Sequence, residues 1–185
     1  AHSAKSWFAY DVIDRHDAIL PWLSDDVSAS EKISPLEAST AYLAYLKHCW
    51  NQSIACGENS YLFENQEIII TVPASFDEIA QRLTLEAAQK AGFPSTVRLL
   101  EEPQAAFYFT LERNGEAIDA IGNEGLGGGP CILVCDIGGG TTDLSLFELR
   151  FNDNKKAEIY RLAVSDHILL GGDNIDLAIA LSVEK

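Results

Sequence analysis

Three consecutive glycines between two aspartates, in the run Asp136-Ile137-Gly138-Gly139-Gly140-Thr141-Thr142-Asp143, constrain this chain more than any other stretch. An apolar run (Cys131, Ile132, Leu133, Val134, Cys135) precedes them and an alternating one (Leu144, Leu146, Leu149) follows. That spacing predicts strand, tight turn, strand. Glycines leave their backbone N–H groups bare and can take positive φ, where a residue with a β-carbon loses about 1–2 kcal/mol. Such a turn can wrap an oxyanion, above all a phosphate, in a concavity of amides. Carboxylates on both flanks, Asp136 and Asp143, supply what a hard cation beside that phosphate needs. A plain hairpin turn is the competing reading.

Two better-known glycine motifs are excluded. No G-x-x-x-x-G-K-[ST] run occurs, so this is not a P-loop. Gly125, Gly127, Gly128 and Gly129 form a second cluster, but Pro130 and a strand follow it, where a dinucleotide fingerprint requires a helix. Residues 115–129 therefore read as a solvated, mobile loop.

Composition narrows the partners. Asp and Glu number 28 against 13 Lys and Arg, a formal net charge of −15. A surface of that sign is repelled by nucleic acid and by anionic membranes, so neither is expected as a partner. No apolar run approaches the roughly 18 residues of a membrane-crossing helix. The four cysteines (Cys49, Cys56, Cys131, Cys135) show no C-x-x-C spacing and have no ligand-like histidine nearby. The expectation is reduced thiols in a cytoplasmic protein, with Cys131 and Cys135 packed as small hydrophobes in their strand. Hydrophobic residues make up 47% of 185, enough for one substantial core or two small lobes.

Coarse elements can be read along the chain. Ser34-Pro35-Leu36-Glu37 is a strong helix start, with Ser as N-cap, Pro at the first position and Glu three residues on. The helix runs to about Ala55, with Leu36, Leu43, Leu46 and Trp50 on one face. Residues 67–72 read as a buried strand. A helix follows from about Asp77, with Ile79, Leu83, Ala87 and Ala91 on its apolar face, ended by Gly92 and Pro94. Val97-Arg98-Leu99-Leu100 is a short strand, Pro103 starts a third helix, and the order up to there implies parallel pairing. From Pro130 the pattern is strand, turn, strand, strand, then a helix from Asp173.

The turn gains meaning from its neighbours. Thr71-Val72-Pro73-Ala74-Ser75-Phe76, Gln81-Arg82, Ala87-Ala88, Ala91-Gly92 and Leu99-Leu100-Glu101-Glu102-Pro103-Gln104-Ala105-Ala106 precede it in one order and at one spacing. Leu170-Gly171-Gly172-Asp173-Asn174-Ile175-Asp176 follows it. This succession resembles the ATPase domain of the seventy-kilodalton heat-shock protein chaperones (heat shock protein 70), within the actin/sugar-kinase ATPase superfamily. The likeness is good from about Glu67 to Asp176 and weaker before Ser34.

The resemblance implies an α/β chain with part of an actin-like ATPase (ribonuclease H-like) fold in two lobes. Residues 1–33 would belong to a peripheral small subdomain and 34–112 to the first α/β lobe. Residues 113–129 would be a Gly-rich connecting loop, and 130–185 the start of the second lobe with the phosphate hairpin. It also implies ATP or ADP with Mg²⁺ as ligands. Glu102 would face the metal and orient the attacking water, in place of a mere helix-capping role. Asp136 would hold Mg²⁺ through water, and Gly138, Gly139, Gly140 and Thr141 would bind phosphates. Asp143 would orient that water or cap the turn. Lys5 would reach the γ-phosphate or remain a surface lysine. Pro73 and Arg82 match positions that relay nucleotide state, although the helix carries one extra residue there (Asp77-Glu78-Ile79-Ala80).

Unfolded client peptides and co-chaperones are the implied partners of the parent protein. Two other readings remain: a sugar or acetate kinase, against which the E-E-P-Q-A-A run argues, and a non-catalytic actin-like scaffold, against which Glu102 and Asp136 together argue. The chain has no methionine, and neither a first phosphate loop nor an adenosine-binding lobe is recognisable. An internal segment of a longer protein, itself monomeric and inactive alone, is therefore expected.

Overall fold

The structure is a computed structural model that describes residues 5–9, 14–22, 24, 26–122, 130–152, 157–166, 168 and 170–183, without the side chains at 6, 9, 114–122, 151 and 157. It is a mixed α/β chain that divides into two compact units: Ala1–Ile70 with Phe76–Leu99, and Thr71–Ser75 with Leu100–Lys185. A short two-stranded sheet joins β1 (Ile69–Val72) to β2 (Arg98–Glu101), and the boundary between the units falls within both strands.

The first unit is built on two helices whose ends are written locally. Ahead of α1 (Pro35–Trp50), Ser34 Oγ accepts from the Glu37 amide at 3.1 Å, while the Glu37 carboxylate accepts from the Ser34 amide at 2.8 Å. The reciprocal box thus satisfies two otherwise orphaned donors. Past Trp50 the helix widens into a π-turn over Asn51–Ala55. Asp77 caps α2 (Glu78–Lys90), accepting from the Ala80 amide at 2.6 Å. At the far end Gly92 takes φ +80°, the Phe93 amide donates to Ala88 O, and the Gly92 amide donates to Gln89 O. This is the Schellman closure that a β-carbon at Gly92 would strain. Phe93 then folds onto Ala88 and Ala91, where Leu43, Ala44, Phe63 and Val97 pack against them.

Two expected helix faces differ from the observed ones. Leu36 is buried on α1 but Leu46 is 57% exposed and Trp50 lies at the surface. On α2 the covered stripe is Ala80, Leu83, Thr84, Ala87 and Ala88, while Ile79 stays 48% exposed. Sequence periodicity marks several stripes of similar width, and only the position of the partner helix selects one. Nor is β1 buried throughout. Its exposure alternates and Ile69 stands half in solvent.

The second unit carries α3 (Glu102–Gly122), the antiparallel sheet β3 (Cys131–Ile137), β4 (Thr142–Phe151), β5 (Ala157–Val164), and α4 (Gly172–Val183). Helix α3 extends through residues 113–122, which the sequence suggested were loop. Gly115 costs a helix about 1 kcal/mol, and good formers on both sides (Glu112, Arg113, Glu116, Ala117) offset it. The glycine cluster at 125–129 lies outside the described residues.

Alternate β4 residues Asp143, Ser145, Phe147 and Leu149 are all buried on one face. Their β3 partners are Asp136 for Asp143, Val134 for Ser145 and Ile132 for Phe147. Phe107 of α3 stacks on Phe147 with centroids 5.4 Å apart and planes 10° off parallel, and joins Leu149, Leu111 and Ile159 in the core. This face is therefore apolar at its far end and polar at its turn end. The other face of β3 is open. Leu133 is 58% exposed, and Cys131 and Cys135 project there as well, contrary to the expectation that they pack as core residues.

Candidate functional site

The run Asp136–Asp143 forms the end of the β3–β4 hairpin. Asp136 stands directly opposite Asp143 and Ile137 opposite Thr142, leaving Gly138 to Thr141 as the turn. The Gly138 amide donates to Thr141 O at 2.8 Å and closes it. Neither Gly138 nor Gly139 takes the left-handed conformation expected from the sequence, so φ is not what calls for glycine at these two positions.

Close approach of backbone is. The amides of Gly172 and Asp173, at the start of α4, donate to Gly138 O at 2.9 Å and Gly139 O at 2.8 Å. Two helix amides that would lack intrahelical acceptors are thereby satisfied by the glycine turn. A β-carbon on Gly171 would fall 2.5 Å from Gly139 O and 2.6 Å from Gly138 O. Thr142 adds two ties, its amide donating to Ile168 O at 2.9 Å and its hydroxyl to Leu170 O at 2.8 Å. The Gly171 amide donates to Asn174 Oδ1 at 2.9 Å, half of a capping box. Sequence reasoning includes Gly171, Asn174 and Thr142 in motifs but gives none of them a part in the site. The signal was an Asn three residues after a glycine at a helix start.

With the carbonyls of Gly138 and Gly139 committed to α4, the turn leaves the amides of Gly139, Gly140 and Thr141 without an acceptor among the described residues. Successive unpaired amides at a surface turn form a cradle for an oxyanion. Asp136 is half-buried, and Asp143 is only 2% exposed on the same face. Next along β4, Ser145 Oγ is buried without a partner among the described residues.

No group of three or more His, Cys, Asp or Glu among the described residues is arranged to hold a metal. The opposed pair Asp136 and Asp143 fits a magnesium ion that keeps most of its water, which asks for only one or two carboxylates. Glu102 is half-buried as the first residue of α3, whose Phe107 packs on the same sheet face. Its neighbour Glu101 forms an ion pair with Arg161 of β5. Lys5 is exposed and belongs to the first unit, as do exposed Arg82 and the ion pair between buried Arg15 and the capping carboxylate of Asp77. An open cleft of about 580 Å³ beside α4, lined by Ile137, Leu170, Ile175 and Ile179 among others, includes none of these carboxylates. Its apolar wall does not suit a triphosphate.

The family model described as Hsp70 protein matches residues 2–183. The chain belongs to the Hsp70 family. A "Chaperone protein HscA homolog" of Haemophilus influenzae (strain PittGG) is 36% identical over 154 residues, covering 83% of this chain and 21% of the relative. Another of that name, from Acinetobacter baylyi, is 32% identical over 180 residues, covering 95% of this chain and 26% of the relative. A "Heat shock protein homolog" of Encephalitozoon cuniculi is 34% identical over 146 residues, with 77% and 19% covered. The chain thus spans about a fifth to a quarter of the length of the Hsp70 relatives it matches. These names are those of chaperones and a heat-shock protein, which does not favour the kinase reading. Among the described residues no helix is long and apolar enough to cross a membrane.

Proposed function

We propose that this Hsp70-family chain carries the second phosphate turn of an ATP-hydrolysing chaperone with an actin-like, two-lobed ATPase fold. Residues 34–112 would lie in the first lobe and 130–185 in the second. The observation that carries this reading is the turn itself, where three consecutive amides at Gly139, Gly140 and Thr141 have no acceptor among the described residues while the carbonyls of Gly138 and Gly139 are held by α4. The amides receive the phosphate oxygens of ATP or ADP, and the Thr141 hydroxyl donates to a terminal phosphate. Asp136 would hold Mg²⁺ through water, and Asp143, which stands opposite it, would orient that water. Glu102 accepts a hydrogen bond from the attacking water. When bound, the metal neutralises charge on the phosphates. Catalysis of this kind works by positioning and electrostatics, without a covalent intermediate. Client peptides and co-chaperones are the partners that an Hsp70 ATPase of this kind serves.

Titration of the ¹⁵N-labelled chain with Mg·ATP tests the site. Amide shifts should concentrate at Gly139, Gly140 and Thr141, with an affinity of about millimolar because a single turn supplies the contacts. Shifts that spare these amides would refute the assignment.

A further inference from the structure

We propose that Thr142 and the Gly171–Asn174 helix start are positioning groups for the phosphate turn, acting by holding its carbonyls against α4. The inference rests on the phosphate reading above. In a trans peptide the C=O and the following N–H point in opposite directions. Fixing Gly138 O on the Gly172 amide therefore turns the Gly139 N–H away from α4, and fixing Gly139 O on the Asp173 amide does the same to the Gly140 N–H. The direction of the phosphate cradle is set by the start of the helix rather than by the hairpin.

That start must itself be held, because no residue of α4 is buried and its body cannot anchor it. Thr142 supplies the hold. Its amide and hydroxyl donate to Ile168 O and Leu170 O, two carbonyls in the segment that leads into the helix. Asn174 Oδ1 fixes the Gly171 amide, and the space at Gly171 admits no β-carbon, so the helix start sits directly on the turn. None of these side chains need touch the nucleotide.

The test is a set of NMR titrations with Mg·ATP and, separately, inorganic triphosphate, on the wild-type chain and on Thr142→Val, Thr142→Ser and Asn174→Ala. Thr142→Val keeps the shape and the backbone bond and removes only the hydroxyl donor. It should weaken binding of both probes roughly three- to tenfold, the range set by one lost hydrogen bond. It should also speed amide exchange at Gly172 and Asp173. Thr142→Ser should restore wild-type affinity, which a merely space-filling role for Thr142 would not require. Asn174→Ala should weaken binding in the same sense and carries the test should Thr142→Val not fold. Binding by the wild-type chain at Gly139–Thr141, with unchanged affinity in Thr142→Val and Asn174→Ala, would overturn the positioning role and leave the phosphate site standing. No shift at these amides in the wild-type chain would overturn both.

Discussion

Gly171→Ala should damage the second unit far more than Gly139→Ala, although Gly139 lies in the glycine run itself. At position 171 a β-carbon would lie 2.5 Å from Gly139 O, 2.6 Å from Gly138 O and 2.7 Å from Gly139 C, all of them backbone atoms. Relief requires the helix start to withdraw, losing the bonds from the Gly172 and Asp173 amides, or the turn to distort. Two hydrogen bonds at about 0.5–1.5 kcal/mol each give about 1–3 kcal/mol, and retaining them by overpacking costs a similar 1–3 kcal/mol. We expect a loss of about 2 kcal/mol, a factor of roughly 30 in the opening equilibrium. At position 139 the nearest atom to a β-carbon is Asp173 Oδ1 at 3.7 Å, an ordinary contact, and φ is not in the left-handed region. Gly139→Ala should therefore stay within about 0.5 kcal/mol of wild type in stability. Amide exchange along β4 reads the second unit. The three tryptophans, Trp7, Trp22 and Trp50, all lie in the first unit and serve as an internal control. Wild-type exchange in Gly171→Ala, or equal destabilisation by the two substitutions, would refute the reasoning.

Three further outcomes follow from named groups. The Arg15 guanidinium, and then the Ala80 amide, hold the Asp77 carboxyl below the usual carboxylate range against the opposing effect of its burial. A depressed folded pKa gives stability that is present above the unfolded value of about 4 and lost as pH falls through the folded one. Asp77→Asn, still a good cap, should cost the first unit about 1 kcal/mol at pH 7, discounted because the carboxylate is half exposed. The difference should shrink as pH falls through the lowered Asp77 value in urea melts followed by tryptophan fluorescence, and a gap that does not narrow on acidification would be the contrary result. A thiol reagent should label Cys56, Cys131 and Cys135 quickly in the native chain, half-buried Cys49 more slowly, and all four after unfolding. Protection of Cys131 or Cys135 would contradict the open face of β3. In the intact protein, Glu102→Gln and Asp136→Asn should lower ATP turnover more than ATP affinity, and wild-type turnover in either would remove that residue from the mechanism.

What the sequence determined by itself is local. The capping box at Ser34 and Glu37, the Asp77 cap, the Gly92 closure and the hairpin around Gly138–Thr141 each depend on residues within about five positions of one another, so their geometry is legible in a short window. The family was legible for the same reason, since its motifs are turns and helix starts. The tertiary structure decided everything that depends on which surfaces meet. Ile79 and Leu46 satisfy helical periodicity yet face outward, because another stripe of the same helix met the partner. Cys131, Leu133 and Cys135 belong to an apolar strand whose covered face is the other one, the face on which Phe107 of α3 packs. The need for glycine shows the division most clearly. From the sequence it fell on Gly138, Gly139 and Gly140 through backbone freedom, whereas a position with no room for a β-carbon is Gly171, more than thirty residues away. Hard-sphere contact between segments distant in the chain has no local signature, and only folding brings the start of α4 against the turn.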